Sequence, residues 1–182
     1  LVSSDAAYFT YKVLNDTSCA ISGYTGSEAE VILPAEIDGY AVTRINANAF
    51  QNNHTITSVT LPEGVTEIQY YAFLNCSSLK TVVLPDSLAA IGYQAFGRCS
   101  ALTEIVIPDT VKRIGDRAFG QCLSLASVRL PAGLELIEEY AAKGSVIAIS
   151  DAGVGATLCA SALQGASLNV FINTKSMADR EM

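Results

Sequence analysis

The sequence predicts a mainly β fold: a solenoid of 23-residue coils with an N-terminal hairpin cap and a C-terminal α-helical tail. Three observations predict it. The pair Ala-Phe recurs at Ala49-Phe50, Ala72-Phe73, Ala95-Phe96 and Ala118-Phe119, always 23 residues apart. Other columns keep the same step: Ile56, Leu79, Leu102 and Leu125; Val59, Val82, Ile105 and Val128; Pro62, Pro85, Pro108 and Pro131; Ile68, Ile91, Ile114 and Ile137. Finally, the 182 residues are 50% hydrophobic and 16% charged, which excludes a polar, charge-rich disordered chain. Self-similarity at a fixed period is the mark of a repeat architecture.

At the N-terminus, Phe9, Tyr11 and Val13 alternate, Asn15-Asp16-Thr17 can turn, and Cys19-Ala20-Ile21 can return. This segment reads as a hairpin that covers the first open edge of the array. The first coil is irregular, because Pro34 to Ile45 spans five more residues than Pro62 to Ile68. The cap and irregular coil take residues 1–48, and regular coils take 49–137.

Each regular coil follows L-x-x-V-x-L-P-x-x-V-x-x-I-x-x-x-A-F-x-x-C. Its V-x-L core has period 2, so it forms a short strand with one buried face. Proline cannot donate to a ladder and ends that strand. V-x-x-I brackets a second extended piece, and A-F-x-x-C is a tight turn with Phe plugging the interior. About seven apolar side chains point inward per coil, each contributing at most ~1.5–3 kcal/mol. Ordering 23 residues costs ~1–2 kcal/mol apiece. One coil cannot fold alone; stacked coils share their apolar faces.

These coils resemble the BspA-like leucine-rich repeats of bacterial surface proteins, over about residues 8–137. Gly23-Tyr24-Thr25-Gly26-Ser27 and Ile37-Asp38-Gly39-Tyr40 are similar to the usual lead-in of that array. The resemblance implies a right-handed leucine-rich repeat solenoid of four to five coils, a non-catalytic protein-binding or adhesion role, and an extracellular or cell-surface location. No signal peptide is visible, and the start at Leu1 points to a processed chain or a fragment.

The columns fail after Ile137. Ala141-Ala142 stands where Ala-Phe is due, and Ser145, Ala148 and Asp151 replace Cys, Leu and Val. Asp151 can cap a helix with Val154, Leu158 and Ala162 on one stripe. The motifs Ser150-Asp151-Ala152-Gly153-Val154-Gly155 and Gly165-Ala166-Ser167-Leu168-Asn169-Val170-Phe171-Ile172-Asn173 resemble the formiminotransferase-cyclodeaminase family, which includes methenyltetrahydrofolate cyclohydrolase. That likeness covers about residues 138–182, a minor part of such an enzyme. It implies a tetrahydrofolate derivative as the alternative cofactor, with Ser150, Asp151, Asn169 and Asn173 as alternative folate-side residues. The preceding helices of such a bundle are missing, so the tail is expected inactive as it stands, and Asp151 reads first as a helix N-cap. The two segments read as a chimera joined near Ile137, either by gene fusion or by the joining of two reading frames.

The remaining chemistry is sparse. A net charge of −7 and the lack of a basic stripe exclude a nucleic-acid partner. No apolar run reaches the roughly 18 residues that span a bilayer. His54 is the single histidine and sits in the turn Asn52-Asn53-His54-Thr55, so multi-histidine metal sites are excluded. Cys76, Cys99 and Cys122 form a column; collinear thiols do not close a tetrahedral site, so they read as buried free thiols, as do Cys19 and Cys159. The tripeptides at Asn15, Asn53 and Asn75 match the glycosylation pattern, but Asn is expected in such turns on structural grounds. The candidate binding face is the set of residues flanking the buried V column: Ser58 and Thr60, Thr81 and Val83, Glu104 and Val106, Ser127 and Arg129. No cofactor is called for by this reading, and the partner is an unidentified protein or surface ligand.

Overall fold

A computed structural model describes residues 2–131, 133–134 and 136–137. The predicted helix after Asp151, and the whole of 138–182, lie outside the described residues. Among the described residues, a 3-10 turn at Ala6–Tyr8 is followed by thirteen strands: β1 Phe9–Asn15, β2 Ser18–Tyr24, β3 Glu30–Ile32, β4 Glu36–Ile37, β5 Tyr40–Ile45, β6 Ser58–Thr60, β7 Glu67–Ile68, β8 Thr81–Val83, β9 Ala90–Ile91, β10 Glu104–Val106, β11 Arg113–Ile114, β12 Ser127–Arg129 and β13 Leu136–Ile137. Strands of successive coils stack in parallel, so the molecule is a β-solenoid.

The two extended pieces of each coil build two walls. The V-x-x-I pieces form one large sheet in the order β1-β2-β5-β7-β9-β11-β13, with β4 paired to β5. The V-x-L pieces form two smaller sheets, β3-β6-β8 and β10-β12. Registers follow the columns: Val59 faces Val82, and Ile68 faces Ile91.

The expected hairpin cap is present. β1 pairs antiparallel with β2, and β2 pairs in parallel with β5. The alternation predicted for β1 holds only in part. Phe9 is buried, Tyr11 is half-buried and Val13 is 45% exposed, on a strand whose register shifts between Thr10 and Tyr11. Ser4 closes the other wall: its N–H donates to Ile32 O at 2.8 Å, and its Oγ accepts the Ile32 N–H at 3.2 Å.

The five extra residues of the first coil make a second small hairpin. Ile37 pairs with Tyr40 across the two-residue loop Asp38-Gly39, with φ of 51° and 84°. Both loop residues need positive φ in a type I′ turn, which is why Asp-Gly stands there.

The turn wall carries the interior. Rings stack from Phe50 to Phe73 (4.8 Å), Phe96 (5.2 Å) and Phe119 (5.6 Å), at interplanar angles of 10° or less. The cap extends this stack through Tyr24, 5.8 Å from Phe50, and Phe9, 5.1 Å from Tyr24. Each turn holds two residues in the left-handed region, for example Tyr71 (60°) with Asn75 (60°) and Gln94 (46°) with Arg98 (59°). Every second N–H of the turn donates to the next coil. Tyr71, Phe73 and Asn75 donate to Tyr93 O, Ala95 O and Gly97 O at 3.0, 2.7 and 2.7 Å. The strain of non-glycine left-handed residues, ~1–3 kcal/mol each, is offset by these bonds and by the ring stack.

Candidate functional site

The cysteine column belongs to the scaffold. Cys76, Cys99 and Cys122 are buried, and each thiol donates to the Phe carbonyl one coil back: Phe50 O at 3.1 Å, Phe73 O at 3.2 Å and Phe96 O at 3.1 Å. Burial pushes the Cys76 and Cys122 thiols up to about 12, and Cys99 upward as well. A thiol so disposed is protonated, and it is neither nucleophile nor metal ligand. The described cysteines are free, and Cys159 lies outside the described residues. His54 is exposed, with Nδ1 2.8 Å from Ser77 Oγ. Asn15 and Asn53 use their Oδ1 atoms to close their own turns, on Thr17 and Thr55.

The predicted binding face lies on the V-x-L wall. In β8 and β10 the central residue is buried and its neighbours are exposed: Thr81, Val83, Glu104 and Val106. Ser58 and Thr60 are half-buried. Val83 is 54% exposed and Val106 is 67% exposed, side by side one coil apart. Arg129 is exposed and pairs with Asp109 at 3.3 Å at the rim of this wall. The Ser127 side chain lies outside the described residues. The alternative residues Ser150, Asp151, Asn169 and Asn173 also lie outside it, so the folate-side grouping stays an expectation.

The large sheet carries a feature that the strand analysis of the V-x-L core missed. Its outward columns hold small residues in places: Ala90 stands between Glu67 and Arg113, and Gly92 and Gly115 follow Asn46 and Gln69. The small residues leave a notch of about 200 Å³ bounded by Glu67, Gln69, Tyr70, Tyr93 and Arg113. Glycine is required there, because a Cβ at Gly92 would sit 2.6 Å from Tyr70 N, and one at Gly115 2.4 Å from Tyr93 N. Arg44 Nε meets Glu67 Oε2 at 2.8 Å. Tyr71 lies between Tyr70 and Tyr93, edge to face with each, at 5.6 and 5.3 Å. The signal was available in the sequence: Tyr70 and Tyr93 are 23 residues apart, and Gly92 and Gly115 likewise.

The comparisons with known proteins agree with this geometry. The BspA type leucine rich repeat region matches residues 35–150 in six copies. The formiminotransferase-cyclodeaminase family matches residues 121–182, overlapping the last copies. Among solved structures, the chain is similar to a leucine rich repeat protein of T. pallidum (34% identity, 72% of this chain, 73% of that one, TM-score 0.59). It is also similar to a leucine-rich repeat protein from Bacteroides capillosus (30% identity, 69% and 96%, TM-score 0.62). A leucine rich cell surface protein from Faecalibacterium prausnitzii matches at 26% identity, over 84% of this chain and 55% of that one, with TM-score 0.52. No curated protein matches.

Proposed function

Since the chain belongs to the BspA type leucine rich repeat family, we propose that it is a non-catalytic, cell-surface protein-binding module that docks through its V-x-L wall. Relatives of this kind are repeat proteins, which work by presenting an extended sheet face. The observation that carries the reading is the exposed pair Val83 and Val106. Two adjacent β-branched side chains in water cost free energy that a partner recovers on desolvating them. The surrounding Thr81, Glu104 and Arg129 supply the polar rim of such an interface. The surface assignment follows the Faecalibacterium relative's description. Among the described residues no helix is long and apolar enough to cross a membrane.

The test is adhesion of the purified chain to host cells before and after protease treatment of the cells. Binding that is abolished both by the protease and by Val83→Lys with Val106→Lys supports the reading. Binding that survives protease, or survives the double variant, refutes it.

A second reading concerns residues 138–182, as a segment of folate-enzyme ancestry joined to the array; the formiminotransferase-cyclodeaminase match over 121–182 favours it. One sequencing read of source DNA across the codons for Pro131 to Asp151 tests the join. A repeat that runs on past Ile137 in that read removes the tail from the protein.

A further inference from the structure

We propose that the notch on the large sheet binds the ring of an acidic sugar, a pyranose bearing a carboxylate, on the wall opposite to the protein-docking face. At about 200 Å³ it falls below the ~300–1,000 Å³ of pockets that bury drug-sized ligands, so it takes one ring. A sugar ring offers an apolar C–H face and a rim of hydroxyls. The notch offers the matching parts: an aromatic wall, planar hydrogen-bonding groups and a flat floor.

Tyr70 is 51% exposed, an unusual setting for a large aromatic away from an interface. Its ring is held in place by Tyr71, whose backbone has φ of 60°. The same left-handed position is Asn48, Gln94 or Arg117 in the other coils. A tyrosine there is costly for a bulky side chain, and here it braces both Tyr70 and Tyr93. Ala90 and Gly92 line the floor of the notch, where the coil behind packs backbone to backbone against Gly92.

The polar groups set the ligand's charge. Glu67 is neutralised by Arg44 at 2.8 Å. Arg113 is exposed and has no ion-pair partner among the described residues, so the net free charge at the notch is positive. A guanidinium matches a carboxylate with two parallel hydrogen bonds. Gln69 Oε1 accepts the Ala47 N–H at 3.2 Å, which holds its amide beside the ring position. An apolar peptide side chain would strip water from these polar groups without replacing its hydrogen bonds, which disfavours that occupant.

The experiment is an NMR titration of the whole chain with glucuronic acid and N-acetylneuraminic acid, with glucose and acetate as comparators. The expected result is saturable shifts of the Tyr70, Gly92 and Gly115 amides with the acidic sugars. Glucose and acetate should bind roughly tenfold more weakly, and Arg113→Gln should lower acidic-sugar affinity by about tenfold, the loss of a charge-assisted pair. Ala90→Gln, which fills the floor, should abolish binding, while Val106→Lys should leave it intact. No saturable shift with either acidic sugar overturns the proposal. So does acetate binding as tightly as the sugars, or an Arg113→Gln variant that is folded and binds as before. Each of these results leaves the protein-docking reading standing, because Val83 and Val106 are on the other wall.

Discussion

The bonds that tie one coil to the next differ between the two walls. On the large sheet the N–H groups of Thr66, Ala89 and Lys112 reach back to Thr43, Thr66 and Ala89 at 2.9 Å each time. On the V-x-L wall the corresponding groups of Lys80, Thr103 and Ala126 reach Thr57, Lys80 and Thr103 at 2.8, 3.4 and 3.2 Å, and the wall divides between β8 and β10. Pro62, Pro85, Pro108 and Pro131 follow the V-x-L strands and cannot donate, so that ladder stops. After the V-x-x-I strands the chain keeps donating: Gln69, Gly92 and Gly115 bond to Ile45, Ile68 and Ile91 at 2.9, 2.7 and 2.7 Å. One repeat thus makes a continuous wall that holds the stack in register and a looser wall whose outward side chains are free to change.

The largest expected effect removes what both walls share. Phe96 stacks between Phe73 and Phe119 and is wholly buried, so Phe96→Ala should cost about 3–5 kcal/mol. Denaturant unfolding followed by separate probes on the two walls should show one coincident transition. Two separated transitions would mean that the walls melt independently and that the turn stack does not couple them.

Alkaline pH should act next, again from the interior. The Cys76 and Cys122 thiols are raised to about 12 by burial, above the unfolded value near ~8.5. The folded state therefore holds these protons after the unfolded chain has lost them. Stability should be fully present below pH ~8.5 and fall progressively as pH rises from there toward ~12. Urea midpoints at stepped pH for the parent and for Cys76→Ala with Cys122→Ala measure this. Parallel pH curves for the two chains would refute it.

The smallest effect separates the walls. Arg44 and Glu67 are both about one-third exposed, so Arg44→Gln should cost only ~0.2–1 kcal/mol, less in salt. Val83→Lys with Val106→Lys should change stability by under ~0.5 kcal/mol while abolishing adhesion. A large loss of stability in the double lysine variant would make those valines structural.

Much of this was legible before any coordinates. The column of Ile68, Ile91 and Ile114 and the Ala-Phe pairs announce which residues face inward, because a 23-residue step returns the chain to the same place in each coil. The hairpin cap was legible from Phe9 to Ile21. The exposure of Val83 and Val106 followed from strand alternation. What escaped was the role of Tyr24, a residue of the lead-in Gly23-Tyr24-Thr25-Gly26-Ser27 that continues the ring stack, and the notch at Ala90 and Gly92.

The sequence by itself determined the coil length, the inward columns and the places where each ladder must stop, because periodicity and proline act locally along the chain. The tertiary structure alone decided how close neighbouring coils approach. That distance places each Cys Sγ 3.1–3.2 Å from a Phe carbonyl one coil back. It also brings Tyr70, Tyr93 and Arg113, which come from three successive coils, around one glycine floor. Contacts between coils depend on stacking, and stacking exists only once several coils bury a common core.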